Sequence, residues 1–208
     1  MSKMKKTLLD ILTMPYFKNY AAESGAVHNT AKHENAVADK LRKHGYSFNG
    51  EGGIRQNQRD AWLDGEDHSD IPDNSYISQP CGTHNSPDFI VKSEGRLYFL
   101  ECKSVKSGTP MYNSGVPKAE YIYILCSEKH DQTTIYFGGD VLPEREARLI
   151  KEHIAAARKR DEEFNKEFGN NYGISYYTRP MIQHKGLNKD YFKHPMRKQL
   201  EQKVLNAV

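Results

Sequence analysis

Asp88, Glu101 and Lys103 bring two carboxylates and an ammonium into a short stretch of chain: Pro87-Asp88, twelve residues, then Glu101-Cys102-Lys103. Two carboxylates held close together repel unless a cation neutralises them, and a hard divalent ion with oxygen ligands, Mg²⁺ first among them, does so. One or two Mg²⁺ ions held by Asp88 and Glu101 would stabilise a phosphorane-like transition state and make a water nucleophilic, the two needs of phosphodiester hydrolysis. Lys103 would orient or help deprotonate that water, or stabilise the developing negative charge; its position fits each role.

The elements that must position these groups are legible around them. Phe89-Ile90-Val91 and Leu97-Tyr98-Phe99-Leu100 are β-rich runs separated by Ser93-Glu94-Gly95, which marks a tight hairpin. Strand alternation sets Leu97, Phe99, Glu101, Lys103 and Val105 on one face, so Glu101 and Lys103 emerge side by side. A two-residue turn at Glu94-Gly95 pairs Phe89, Ile90 and Val91 with Leu100, Phe99 and Tyr98. It also sets Asp88 opposite Glu101, within about 5 Å between α-carbons.

Other segments are read in the same way. Leu8, Leu9, Ile11 and Leu12 form an apolar cluster that stops at Pro15, a short N-terminal helix. From Thr30 to His44, Val37, Ala38 and Leu41 recur at helical spacing, Gly45 ends the run, and Glu34 shares their face. Tyr46 to Pro87 has poor periodicity and reads as long loops around one strand. Tyr121 to Cys126 is a continuous apolar run typical of a strand buried on both faces, with Thr133 to Phe137 as its neighbour. Glu144 to Phe168 reads as a long helix and Ile174 to Met181 as a final strand; a C-terminal helix starts near Pro195. The order predicts an α/β fold, a mixed central β-sheet flanked by helices. The stretch from Lys103 to Tyr121 is rich in Gly, Pro, Ser and Asn, without a helical period, and reads as a loop unless a crossover helix lies elsewhere.

Pro87-Asp88 through Glu101-Cys102-Lys103 resembles the PD-(D/E)xK nuclease superfamily, the type II restriction endonucleases in particular. The block from Gln79 to Phe89 (QPCGTHNSPDF) is similar to a segment that precedes the metal aspartate in some of those enzymes. The resemblance implies a restriction-endonuclease-like core, Asp88 and Glu101 as metal ligands, Lys103 as the catalytic lysine, and Glu34 as a further ligand on the first core helix. It implies site-specific hydrolysis of double-stranded DNA leaving 5′-phosphate and 3′-hydroxyl ends. Nicking, homing, junction-resolving and repair nucleases share the motif, and a non-catalytic DNA-binding module is the alternative from another class. On this reading residues 1–208 are one nuclease domain. The catalytic core spans about 30–140, and 170–208 is a DNA-contacting or dimerisation segment.

Composition sets the outer bounds. The 208 residues carry a formal charge of +3, unevenly spread. Residues 59–74 hold six acids against Arg59, whereas 179–203 hold seven bases against Asp190 and Glu201, so a polyanion would prefer the C-terminal part. Ser104, Lys106, Asn113 and Ser114 follow the lysine closely enough to meet the scissile phosphate. Arg179, Gln183 and Lys185, beside Tyr176, Tyr177 and Asn188, are of the types that contact DNA. A palindromic target would call for a twofold homodimer. The three cysteines have no CxxC spacing, which excludes zinc knuckles and disulfide frameworks and suits a reducing cytoplasm in a prokaryote or its phage or virus. The nine histidines show no HExxH, and only His84 lies near the site in sequence. Asp64 to Asp73 lacks EF-hand spacing, no Walker motif occurs, and no run is apolar enough for a membrane span or signal peptide.

Overall fold

The computed structural model of the chain describes residues 1–16, 29–113, 115–168, 173–186 and 189–208, and only the backbone at 29–32. Helix α1 (Lys3–Ile11) starts on a Ser2 side-chain cap to the Lys5 amide. Helix α2 (Asn29–Lys43) ends at Gly45, whose φ of +77° is the left-handed stop that glycine adopts without cost. Asp10 joins the two helices, its carboxylate lying 2.8 Å from Lys40, 2.7 Å from Lys43 and 3.1 Å from His44. Burial opposes the charge on Asp10, but those donors outweigh it and hold its pKa far below the usual carboxylate range.

A six-stranded mixed sheet follows: β1 (Ser47–Glu51), β2 (Ser75–Ser78), β3 (Phe89–Ser93), β4 (Arg96–Val105), β6 (Ile122–Ser127) and β7 (Gln132–Phe137), hydrogen-bonded in that order. The pairs β1–β2 and β4–β6 are parallel and the others antiparallel. The expected hairpin, the doubly buried strand at 122–127 and its antiparallel neighbour are all present.

Side-chain alternation divides the core in two. On one side Leu100, Cys102, Ile122 and Ile124 pack with Leu8, Ile11, Val37 and Leu41 of α1 and α2, and with Val204 and Leu205 of the C-terminal helix α6 (Arg197–Ala207). On the other, Ile90, Phe99, Tyr123 and Leu125 pack with Trp62 and Tyr191. Each fully buried aliphatic or aromatic side chain contributes about 1.5–3 kcal/mol, so β4 and β6, central and clamped from both faces, form a rigid base for the charged residues they carry.

Two expectations fail. The stretch 46–87 is not a set of loops around one strand: it holds β1, β2 and a helix α3 (Gln56–Leu63). Ile174 to Met181 is not a strand; it runs exposed and irregular, and only Ile182–Gln183 (β8) pairs, with Met111–Tyr112 (β5), in a two-stranded sheet of its own. Its aromatic residues favour extended backbone, but it pairs with neither edge strand of the main sheet, β1 or β7. The described residues between β4 and β6 form no helix, so this parallel connection is a loop carrying β5. Helix α5 (Glu144–Phe168) has the expected bounds; it follows the short α4 (Gly138–Val141).

Candidate active site

The β3–β4 hairpin sets the geometry. Phe89 pairs with Leu100, Ile90 with Phe99 and Val91 with Tyr98, the register expected from the sequence. Glu94 and Gly95 have φ of 52° and 76°, positive at both central positions as a two-residue type I′ turn requires. Just beyond β3, the Asp88 amide donates to Leu100 O at 3.0 Å and the Cys102 amide donates to Asp88 Oδ2 at 2.6 Å. Asp88 and Glu101 therefore stand across from one another, and Lys103 Nζ donates to Glu101 Oε1 at 2.7 Å.

Two residues that sequence reasoning passed over complete the arrangement. Gln79, directly after β2, has φ +44°; its amide nitrogen donates to Glu34 Oε2 at 2.8 Å and to Asp88 Oδ1 at 3.2 Å, and its backbone N–H donates to Asp88 O at 2.7 Å. Glu34 thereby joins the site from α2. The preceding His33 docks that turn of helix, donating from Nε2 to Ile124 O at 3.1 Å, and burial pushes its pKa down to about 4. The second residue is the buried Arg59 of α3, which donates to Ser86 O at 2.7 Å and fastens the turn that delivers Asp88. No periodicity marks either residue: Gln79 opens the block before Asp88 but carries no charge that would single it out there, and Arg59 looks like the lone base of an acidic run.

The electrostatics are those of carboxylates crowded beyond their comfort. Burial first, then the charges of Glu101 and Glu34, push the pKa of Asp88 well above the ordinary carboxylate value against the opposing Cys102 N–H bond. Glu34 is raised by burial and by Glu101 even though the Gln79 bond opposes it. For Lys103, burial favours losing the proton but the Glu101 carboxylate outweighs it, so its pKa sits above the ordinary lysine value and the ammonium stays charged. Glu101 is 6% exposed, and its Oε2 is buried without a hydrogen-bond partner. Three mutually repelling carboxylates with one orphaned oxygen are a donor set that fits a hard divalent cation. Among the described residues no three His, Cys, Asp or Glu side chains already converge on one point. Glu101 is turned toward Lys103, and Glu34 toward Gln79.

The remaining candidates fall elsewhere. Ser104 is half-buried on β4, Lys106 is exposed beyond its end, and Ser114 and Asn188 lie outside the described residues. Asn113 and Arg179 meet, the Arg179 Nε donating to Asn113 O at 3.1 Å, and Gln183 lies opposite Met111 in β8, with Lys185 exposed beyond it. His84 is exposed and lines a surface groove with Asn85, Asn113 and Arg179. No protein-family model, curated protein or solved structure matches the chain.

Proposed function

We propose that the chain is a Mg²⁺-dependent endonuclease of the PD-(D/E)xK kind, a type II restriction endonuclease that hydrolyses double-stranded DNA at specific sites. The observation that carries this reading is the hairpin register that sets Asp88 across from Glu101 with the charged Lys103 beside them. Asp88, Glu101 and Glu34 would hold the metal. Bound there, Mg²⁺ supplies a counter-charge for the pentavalent transition state and a polarised water.

The chain's own groups do the rest. The Cys102 amide fixes one Asp88 oxygen while Gln79 holds the other together with Glu34, so these two acids keep a fixed relation to one another. Lys103, held beside Glu101 by its 2.7 Å hydrogen bond, is placed to donate to a non-bridging phosphate oxygen, where charge grows in the transition state, or to orient the attacking water. Neighbouring Cys102 is buried with its thiol pKa driven far up, and takes no part as a nucleophile.

The test is incubation of unmethylated plasmid or phage DNA with the protein and Mg²⁺. Discrete fragments support site-specific cleavage; a smear or a nicked circle points to another nuclease of the superfamily. Intact DNA that is nonetheless bound points to a binding module.

A further inference from the structure

Gln79 is tied into the site more closely than a turn residue needs to be. Its φ of +44° lies in the left-handed region, which glycine or asparagine enters far more readily than glutamine. Its carbonyl accepts from the Gly82 amide at 2.8 Å, and its backbone N–H donates to Asp88 O at 2.7 Å. Any residue could make those two backbone bonds. What glutamine adds is its side chain, and the side-chain nitrogen is spent wholly on the two acids.

Sheet register brings it there. Ser78 pairs with Phe89 and Phe89 with Leu100, so one step further along Gln79, Asp88 and Glu101 form a row across three neighbouring strands. The side-chain nitrogen of Gln79 has two protons and two acceptors, Glu34 Oε2 at 2.8 Å and Asp88 Oδ1 at 3.2 Å. The two acids differ in what else holds them. Asp88 is fixed independently, by its own N–H on Leu100 O and by the Cys102 amide on Oδ2. Glu34 arrives from α2, and among the described residues Gln79 makes the one hydrogen bond to its carboxylate. The charge of Glu101 works against Glu34, and the Lys103 ammonium is already bonded to Glu101. The row also leaves two acceptors over: Gln79 Oε1 and Glu101 Oε2 are both buried without a partner. Buried oxygens are rarely left so, and a hydrated divalent cation suits the pair, a carboxylate oxygen as ligand and an amide oxygen as acceptor for a bound water.

We infer that Gln79 is a positioning residue of the cation site: its side-chain amide holds Glu34 beside Asp88 against their mutual repulsion, and so sets the affinity for a divalent metal. A carboxylate has about four lone-pair sites, so Glu34 and Asp88 can each give one to Gln79 and keep others for the ion. The inference deepens the nuclease reading and rests on its metal site, not on cleavage of DNA. It is tested by Mn²⁺ binding to the full chain without DNA, followed by the paramagnetic resonance of the free ion, in the parent, Gln79→Met, Glu34→Gln and the double variant. Gln79→Met keeps the length of the side chain and removes both donors. It should weaken Mn²⁺ binding by about 10- to 100-fold, the usual effect of losing a partner that orients a metal ligand. In the Glu34→Gln background the same change should cost less than about 3-fold, because the group it acts through is already lost.

Parental Mn²⁺ affinity in Gln79→Met overturns the inference. So does an equal loss in both backgrounds, which is what a role in the turn alone would give, and so does a parent that takes up no Mn²⁺. Gln79→Asn suits the left-handed backbone but is one methylene shorter, and it should show the same loss if Gln79→Met fails to fold. The expected non-additive losses in a protein that cuts no DNA would uphold Gln79 and sink the nuclease; equal losses in a protein that does cut would do the reverse.

Discussion

At Asp88 the fold does two opposed things. The Cys102 amide steadies one carboxylate oxygen at 2.6 Å, while burial and the charges of Glu101 and Glu34 drive the pKa up. A raised pKa means that the folded state holds the proton more tightly than the unfolded chain. The stability this lends is complete below the ordinary carboxylate pKa and is lost as pH rises through the raised value. Near pH 7, without metal, Asp88 therefore works against folding. Asp88→Asn should raise the metal-free Tm at pH 7, by roughly 2–4 °C for each 1 kcal/mol relieved, while abolishing cleavage. Mg²⁺ should then raise the Tm of the parent but not of the variant. A lower metal-free Tm for Asp88→Asn in a thermal melt would mean that the carboxylate is not strained. The juxtaposition of the carboxylates and the lysine was legible because the hairpin register that unites them follows from local spacing. Gln79 was not, since its role exists only once α2 and the end of β2 approach each other.

The β3–β4 hairpin is the element that converts spacing into geometry. Its register was readable because apolar runs on either side of Glu94-Gly95 leave one pairing that keeps Phe89, Val91 and Leu100 together in one core and Ile90 and Phe99 in the other. A Cβ added at Gly95 meets nothing within 4 Å, so Gly95→Ala tests the backbone alone. It should cost about 1 kcal/mol in urea unfolding, with Gly95→Asn costing less. Equal stability of Gly95→Val and the parent would contradict the turn assignment. By contrast α3 escaped sequence reading because QNQRDAWL has only Arg59 and Trp62 buried, too few to set an apolar period. β1 escaped because SFNGE is an edge strand with four exposed residues and one half-buried. Ile174 to Met181 misled for the opposite reason: Tyr-rich sequence states a preference for extended backbone but cannot supply a partner strand.

Across the whole molecule, the C-terminal bases are less available than their number implies. Arg197 and Lys198 pair with the buried Glu201, while Asp190 is taken by Lys129 and His130. The positive charge left for a polyanion lies on exposed Lys185, Lys189 and Lys193, whereas α5 carries seven bases against seven acids. No helix among the described residues is long and apolar enough to cross a membrane. Cutting both strands of a palindromic site takes two copies of a single-site chain, so with Ca²⁺ and a cognate duplex, sedimentation should find two chains per duplex. One chain per duplex would favour a nicking enzyme. The most direct measurement is plasmid cleavage with Mg²⁺ by the parent, Asp88→Ala and Lys103→Ala, with duplex binding followed in Ca²⁺. The parent should give discrete fragments, and both variants should bind DNA yet leave the plasmid intact; a Lys103→Ala protein that cuts at the parental rate would contradict the assignment of the site.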